Sequence, residues 1–164
     1  GNAKQNKRNS REQKLKNVAE VLVIFTKPEF WELTLKKNIA VQRNNTPDAQ
    51  YIAFLRTHLP NKERSKITHL ATVEHTENDV PRRNMLEGLN KDLIKRFFKH
   101  AESRAYSFNE GTHKVYTLKK DSLVELANPI EHDAPGLIVK FRTSLAELLR
   151  AKKTKEMKKG KKII

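Results

Sequence analysis

The sequence predicts an α+β fold built on a small, curved or closed, mainly antiparallel β-barrel with about three flanking helices. Three observations point to it. The elements read in the order strand, helix, several strands, helix, several strands, helix, without the regular alternation that builds a parallel βαβ sheet. The apolar runs are short and rich in β-branched residues, as in Val18–Thr26 (VAEVLVIFT), which suits strands better than helices. A chain of 164 residues fits one domain of about 130 ordered residues plus tails by the ordinary size of domains.

Residues 1–17 carry Asn, Gln, Lys and Arg with Leu15 as the one sizeable apolar group, and are expected to form a disordered basic arm. Val18–Thr26 then reads as a buried strand. Thr26-Lys27-Pro28-Glu29 follows, with Thr26 able to cap a helix, Pro28 suited to its opening turn and Glu29 in the third position of a capping box. The helix runs through Phe30, Trp31, Leu33 and Leu35 to about Lys37. Ile39–Gln42 is a short strand ended by the turn-rich Arg43–Asp48. Tyr51–Leu55 and Ile67–Val73 are two more strands, joined through Pro60–Ser65. Val80–Asn84 reads as a loop. Leu93, Ile94, Phe97 and Phe98 recur at helical spacing over residues 90–100, which predicts a helix. Ala105–Phe108, Lys114–Leu118 and Ser122–Leu126 are further strands, the last ended by Asn128-Pro129, and Leu137–Phe141 is the final strand. Ser144–Glu147 forms a second capping box opening a helix through Leu145, Leu148 and Leu149. A single domain is expected over residues 18–151, with a Lys-rich tail over 152–164. There is no internal repeat.

Composition narrows the function classes. The chain has no Cys, which excludes disulfides, thiolate zinc sites and cysteine nucleophiles. The longest apolar run, Val21–Phe25, is too short to span a bilayer, and the basic N-terminus lacks the apolar core of a secretion signal. A cytoplasmic or nucleoid-associated protein is the expectation. The formal net charge of +15 is very unevenly distributed. Residues 1–17 hold six Lys/Arg against Glu12, and residues 150–164 hold eight against Glu156, leaving only +3 on the intervening stretch. A nearly neutral body with two cationic ends suits a polyanionic partner: the ends attract phosphate regardless of sequence, and selectivity falls to the body.

The catalytic signals are poor. The six His, at 58, 69, 75, 100, 113 and 132, show no helical ligand spacing, although His69 and His75 could share a strand face. Pro47-Asp48 opens the pattern of a metal-dependent nuclease, but no Asp/Glu-x-Lys follows on a predicted strand, and Glu63, Glu74 and Asp79 do not complete a set. With five Gly and no GxxxxGK[ST] or GxGxxG, no phosphate-cradling loop or nucleotide cofactor is expected.

Aromatic and basic residues carry more. Trp31 is either a core anchor or one wall of a pocket that stacks a nucleobase. Tyr51 and Phe54, three apart on one strand, must point to opposite faces, so only one can join it. Asn44 and Asn45 suit either base-edge contacts or turn chemistry. Arg43, Arg56, Arg82 and Arg83, with Lys95, Arg96 and Lys99 on the following helix, are candidate phosphate contacts or a solvated basic surface.

A strand ending in an apolar–aromatic run, followed by Thr and then Trp opening a helix (Val21–Trp31), resembles the start of EVE and YTH-like domains. Tyr51-Ile-Ala-Phe followed by Ile67–Glu74 is similar to strands of the wider PUA-like superfamily, which includes ASCH domains. The segments Tyr116–Ile130 and Phe141–Leu149 look like the ends of such modules attached to prokaryotic restriction and defence proteins. The resemblance spans roughly residues 18–151 and implies a distorted barrel that binds RNA or modified DNA. It implies Trp31 as the leading cage residue, Tyr51 or Phe54 as a second wall, and Asn44 or Asn45 as a base-edge contact. The chain departs from the pattern in having a single Trp and an insertion at Pro60–Ser65. The expected function is therefore a non-enzymatic nucleic-acid-binding module, free-standing or part of a larger protein. A metal-dependent nuclease of a defence system and a basic ribosome-associated protein are the alternatives.

Overall fold

The computed structural model describes residues 18–98, 111–133 and 140–157. They form strands β1 (Ala19–Thr26), β2 (Ile39–Gln42), β3 (Ala49–Arg56), β4 (Lys66–Pro81), β5 (Thr112–Leu118), β6 (Val124–Glu131) and β7 (Lys140–Thr143). The described helices are α1 (Pro28–Lys37), α2 (Arg82–Leu86), α3 (Lys91–Phe98) and α4 (Leu145–Arg150), with 3-10 turns at Pro60–Lys62 and Thr154–Glu156. The strands make one seven-stranded sheet in the order β2-β5-β4-β3-β1-β7, with β6 also paired to β4. Only β1 and β3 run parallel; the other pairs are antiparallel. The α+β class with a curved, mainly antiparallel sheet is what the sequence predicted. The ladder of described strands does not close, since β2 and β7 end it without pairing.

Strand β4 is far longer than the Ile67–Val73 segment expected. Its 16 residues pair with β3 and β6 in the first half and with β5 in the second. Shifts of register at Val73/His75 and Glu77/Val80 bend it from one set of partners to the other, as extra residues do in an antiparallel ladder. Val80 and Pro81 therefore close a strand and Arg82 opens α2, where a loop was expected. β6 likewise runs on through Asn128-Pro129, because its register on β4 shifts opposite Ile67/His69 and the proline falls where no ladder donor is needed. The expected strand at 105–108, and residues 137–139 of the final strand, lie outside the described residues, as do residues 1–17.

Alternation along the strands sorts the core into three groups. Leu22 and Ile24 of β1, Ile52 and Phe54 of β3, Ala71 of β4, Tyr116 and Leu118 of β5 and Trp31 of α1 pack on one face of the sheet. Val21, Val23, Ala53, Leu55 and Ile67 pack on the other face with Ile130, Leu148, Ala151 and Met157. A third group joins Leu33 of α1 and Leu93 and Phe97 of α3 to Val41, Met85 and Val115. Each fully buried Leu, Ile or Phe contributes about 1.5–3 kcal/mol by leaving water.

The helix ends are set locally. Lys27, not Thr26, is the N-cap of α1, and the Thr26 hydroxyl instead donates to the Ile24 carbonyl; the expected capping box does not form because Thr26 is still the last residue of β1. Asn38 ends α1 in the left-handed region (φ 56°), its N–H donating to the Thr34 carbonyl. Its side-chain amide donates to the Leu118 carbonyl at 2.8 Å, so one residue both stops the helix and joins it to β5. Ser144 caps α4 as expected, its Oγ accepting from Glu147 N–H at 3.1 Å. The body does not stop at Ala151. Lys153 bridges Glu131, and Thr154 and Met157 are buried, so residues 152–157 belong to the domain rather than to a free tail.

Loss of the Ser144 cap should be modest: Ser144→Ala is expected to destabilise the protein by about 1 kcal/mol in urea unfolding. Phe54→Ala, which empties a completely buried site, should cost about 3–5 kcal/mol in the same measurement.

Candidate functional site

Two groups of side chains stand out from ordinary packing. The first gathers where β1 hands over to α1. Trp31, in the first turns of α1, lies against Phe54 of β3 (ring centroids 5.3 Å apart, near-perpendicular) and His69 of β4 (4.6 Å). The Arg56 guanidinium, at the end of β3, covers the Trp31 ring at 4.7 Å. His69 Nδ1 is 2.8 Å from the Thr68 hydroxyl. Its partner across the ladder is Glu125 of β6, whose charge acts on both His69 and Arg56. Partial burial and the neighbouring Arg56 cation hold His69 below the usual histidine range, against the pull of Glu125, so the imidazole is biased toward its neutral form.

The expected base-pocket residues do not assemble in one place. Trp31 and Phe54 do meet. Phe54, however, is wholly buried, and Trp31 retains 8% exposure beneath Arg56. Tyr51 faces the opposite side of β3, packed on the second core group. Asn44 is engaged elsewhere: its side chain donates to Thr112 Oγ1 at 3.1 Å and accepts from Asp79 N–H at 2.9 Å, clipping the β2–β3 loop to the β4–β5 ribbon. Asn45 is exposed on that loop. As it stands, the indole face is a guanidinium–indole stack, and a base reaches it only by displacing Arg56. Such a stack is worth about 0.5–2 kcal/mol, comparable to the stacking of a base on an aromatic ring, about 1–3 kcal/mol.

The expected phosphate contacts divide. Arg43, Arg83 and Lys95 are exposed. Arg96 pairs with Glu32, tying α3 to α1. Arg82 lies over the Phe98 ring at 5.2 Å. Lys99 lies outside the described residues. The acids weighed for a nuclease are also spread out. Asp48 pairs with Lys114 at 2.6 Å and Glu63 with Lys66 at 3.8 Å, while Glu74 is exposed on β4. Among the described residues no three His, Asp or Glu side chains gather as a metal-ligand set, and His75 is exposed while His69 packs on Trp31.

The second group escaped the sequence reading. Lys114 of β5 and Lys140 of β7 are 4% and 6% exposed, and both reach Thr46 in the β2–β3 loop. Lys114 Nζ donates to the Thr46 carbonyl and Lys140 Nζ to its Oγ1, each at 2.7 Å. The Tyr116 hydroxyl donates to the neighbouring Pro47 carbonyl. Burial, with Asp48 nearby, drives the Tyr116 phenol above its usual range. Burial and the Arg43 and Lys114 cations push Lys140 down to about 8. Strand β7, at one end of the open ladder, and β5, next to its other end, are thus linked through this loop by side chains instead of by backbone pairing. A signal for Lys140 existed in the sequence: it is the lone cation in the apolar run Leu137–Phe141. His69 similarly interrupts Ile67–Val73.

Neutral His69 and His132 are both favoured by partial burial. Above the unfolded-state value of about 6.5 neither state takes a proton, so stability is unaffected there. Below it the unfolded chain binds protons that the folded protein resists, and stability is lost. The melting temperature should therefore fall as pH drops from about 6.5 toward 5, and the paired substitution His69→Gln with His132→Gln should flatten that slope.

No family model matches the sequence, and no curated protein matches it. Among solved structures, the fold is similar to the ASCH protein of Zymomonas mobilis. A mutant of that protein is 16% identical, with 69% of this chain and 75% of that one covered and a TM-score of 0.44. A second structure of it is 17% identical over 68% and 73% of the two chains, with a TM-score of 0.42. At this distance the likeness concerns the fold alone.

Proposed function

We propose that this protein is a nucleic-acid-binding module in which the cationic ends supply attraction to phosphate and the body supplies the contact that discriminates. The observation that carries this reading is the segregation of charge: six Lys/Arg against one acid over residues 1–17 and eight against one over 150–164, flanking a stretch of only +3. Charge distributed for solubility has no reason to collect at two ends. A rod of phosphates is the partner that such ends fit.

Within the body, Trp31, Arg56 and His69 make the contact. Arg56 is the movable part. Its guanidinium is a flat cation lying on the indole, and an unstacked or extruded base takes the same place while the displaced guanidinium turns to a phosphate. Stacking of this kind accepts any base, so preference arises from the groups around the ring, His69 and Glu125 among them. Arg43, Arg83, Lys95 and the exposed Lys152, Lys153 and Lys155 extend the phosphate-facing surface. No reaction is assigned to this arrangement.

Binding to a labelled single-stranded oligonucleotide should weaken linearly in log K with log salt concentration. Deleting residues 1–17 and 158–164 should flatten that line while any base preference of the body survives. Arg56→Gln should weaken binding and lower the salt slope by about one. Trp31, the only tryptophan, reports the contact directly through its emission. Unchanged emission at saturating oligonucleotide, or a truncated body that loses preference along with affinity, would show that the division of labour is wrong.

A further inference from the structure

We propose that Lys114, Lys140 and Thr46 form a buried site for a phosphate group, and that the group is a terminal phosphate rather than one within a continuous strand. The first argument is charge. Two ammonium groups are nearly enclosed, at 4% and 6% exposure, and meet on one residue. Asp48 offsets Lys114, at 2.6 Å, but its own side chain is 57% exposed and so is largely satisfied by water. Lys140 faces no carboxylate among the described residues; its charged neighbours are the cations Arg43 and Lys114. Enclosing a cation beside other cations is unfavourable unless an anion joins them or the amine gives up its proton.

The second argument is hydrogen-bonding capacity. An ammonium carries three donors. Lys140 spends one on Thr46 Oγ1, and Lys114 spends two, on the Thr46 carbonyl and Asp48. The Thr46 hydroxyl accepts from Lys140 and carries a proton of its own to donate. The remaining donors of both lysines and this hydroxyl flank the same loop residue, and a phosphate group takes several such donors at once.

A third, independent observation lies on the same strand. Arg142 follows Lys140 by two positions and so shares its face of β7. Lys140 and Arg142 stand opposite Ile24 and Leu22 of β1, both residues of the first core group. The Arg142 Nε is enclosed with no hydrogen-bond partner among the described residues. An enclosed guanidinium nitrogen without a partner, two positions along the strand from a partly satisfied ammonium group, again calls for an acceptor that carries negative charge. The degree of enclosure sets the form of the ligand. A phosphate with a single substituent can end at Lys140, whereas an internal phosphodiester must carry chain away on both sides. This site does not depend on the nucleic-acid reading of the Trp31 group, and either can fail without the other.

The test uses the full chain and inorganic phosphate as the first probe. At fixed ionic strength, phosphate should raise the melting temperature where chloride does not, and Lys140→Met should weaken phosphate binding by about tenfold or more in calorimetry. A nucleoside 5′-monophosphate should act like phosphate, whereas an oligonucleotide without terminal phosphates should not compete at this site. Should Lys140→Met not fold, NMR titration of the Lys140 amine in the unsubstituted protein decides the matter. Phosphate should move its midpoint upward from about 8, because a bound anion favours the charged amine. Phosphate no more stabilising than chloride, with the Lys140 titration unmoved, would overturn the site. Competition by the oligonucleotide lacking terminal phosphates would overturn its assignment to a terminal group.

Discussion

Strand β4 is the constraint on which the rest of the molecule depends. A buried strand must give every backbone N–H and C=O a partner, and β4 meets this demand with three different neighbours along its 16 residues. Its first half carries Ile67 and Ala71 into the two faces of the sheet; its second half leaves that environment and forms an exposed ribbon with β5. The register shifts at Val73/His75 and Glu77/Val80 make this change of partners possible without abandoning pairing. Without them the strand could not bend, and β5 would not bring Tyr116 to the first core group or Lys114 to Thr46.

That geometry explains why both unusual side-chain groups lie where they do. The Trp31 group forms where β3 and the first half of β4 present Phe54, Arg56 and His69 to the opening turns of α1. The lysine group forms where the open sheet must be held by something other than backbone bonds. Lys114 and Lys140 come from strands far apart in the ladder order, and Thr46 is what they share. Side-chain closure of this sort is electrostatically costly, which is why it points to a ligand as well as to architecture.

Much of the fold was legible in the sequence because it is encoded locally. The β-branched run of β1, the helical spacing of Leu93 and Phe97, and the Ser144–Glu147 cap each act over a few residues, and each has its expected counterpart in the structure. The departures have one physical cause. Thr26, Val80-Pro81 and Asn128-Pro129 all carry strong local signals for a cap, a loop or a stop, and in each case pairing across the sheet overrides the signal. Lys152–Met157 has a composition suited to a solvated tail, yet Thr154 bonds to Asp133 at 2.9 Å and Met157 fills a gap beside Leu148. The aromatic pocket was legible only in part. Alternation correctly put Tyr51 and Phe54 on opposite faces, but nothing along the chain could say that Arg56 would lie on Trp31.

The sequence by itself determined the α+β class, the order of most elements and the concentration of positive charge at the two ends, since composition, periodicity and turn chemistry are properties of the chain. Only the tertiary structure decided which charges would be buried. Lys114 and Lys140 are 26 positions apart in the numbering, yet they converge because β5 and β7 present them to the same loop. Burial, and the cost of removing an ammonium from water, is a property of that convergence and of no single residue.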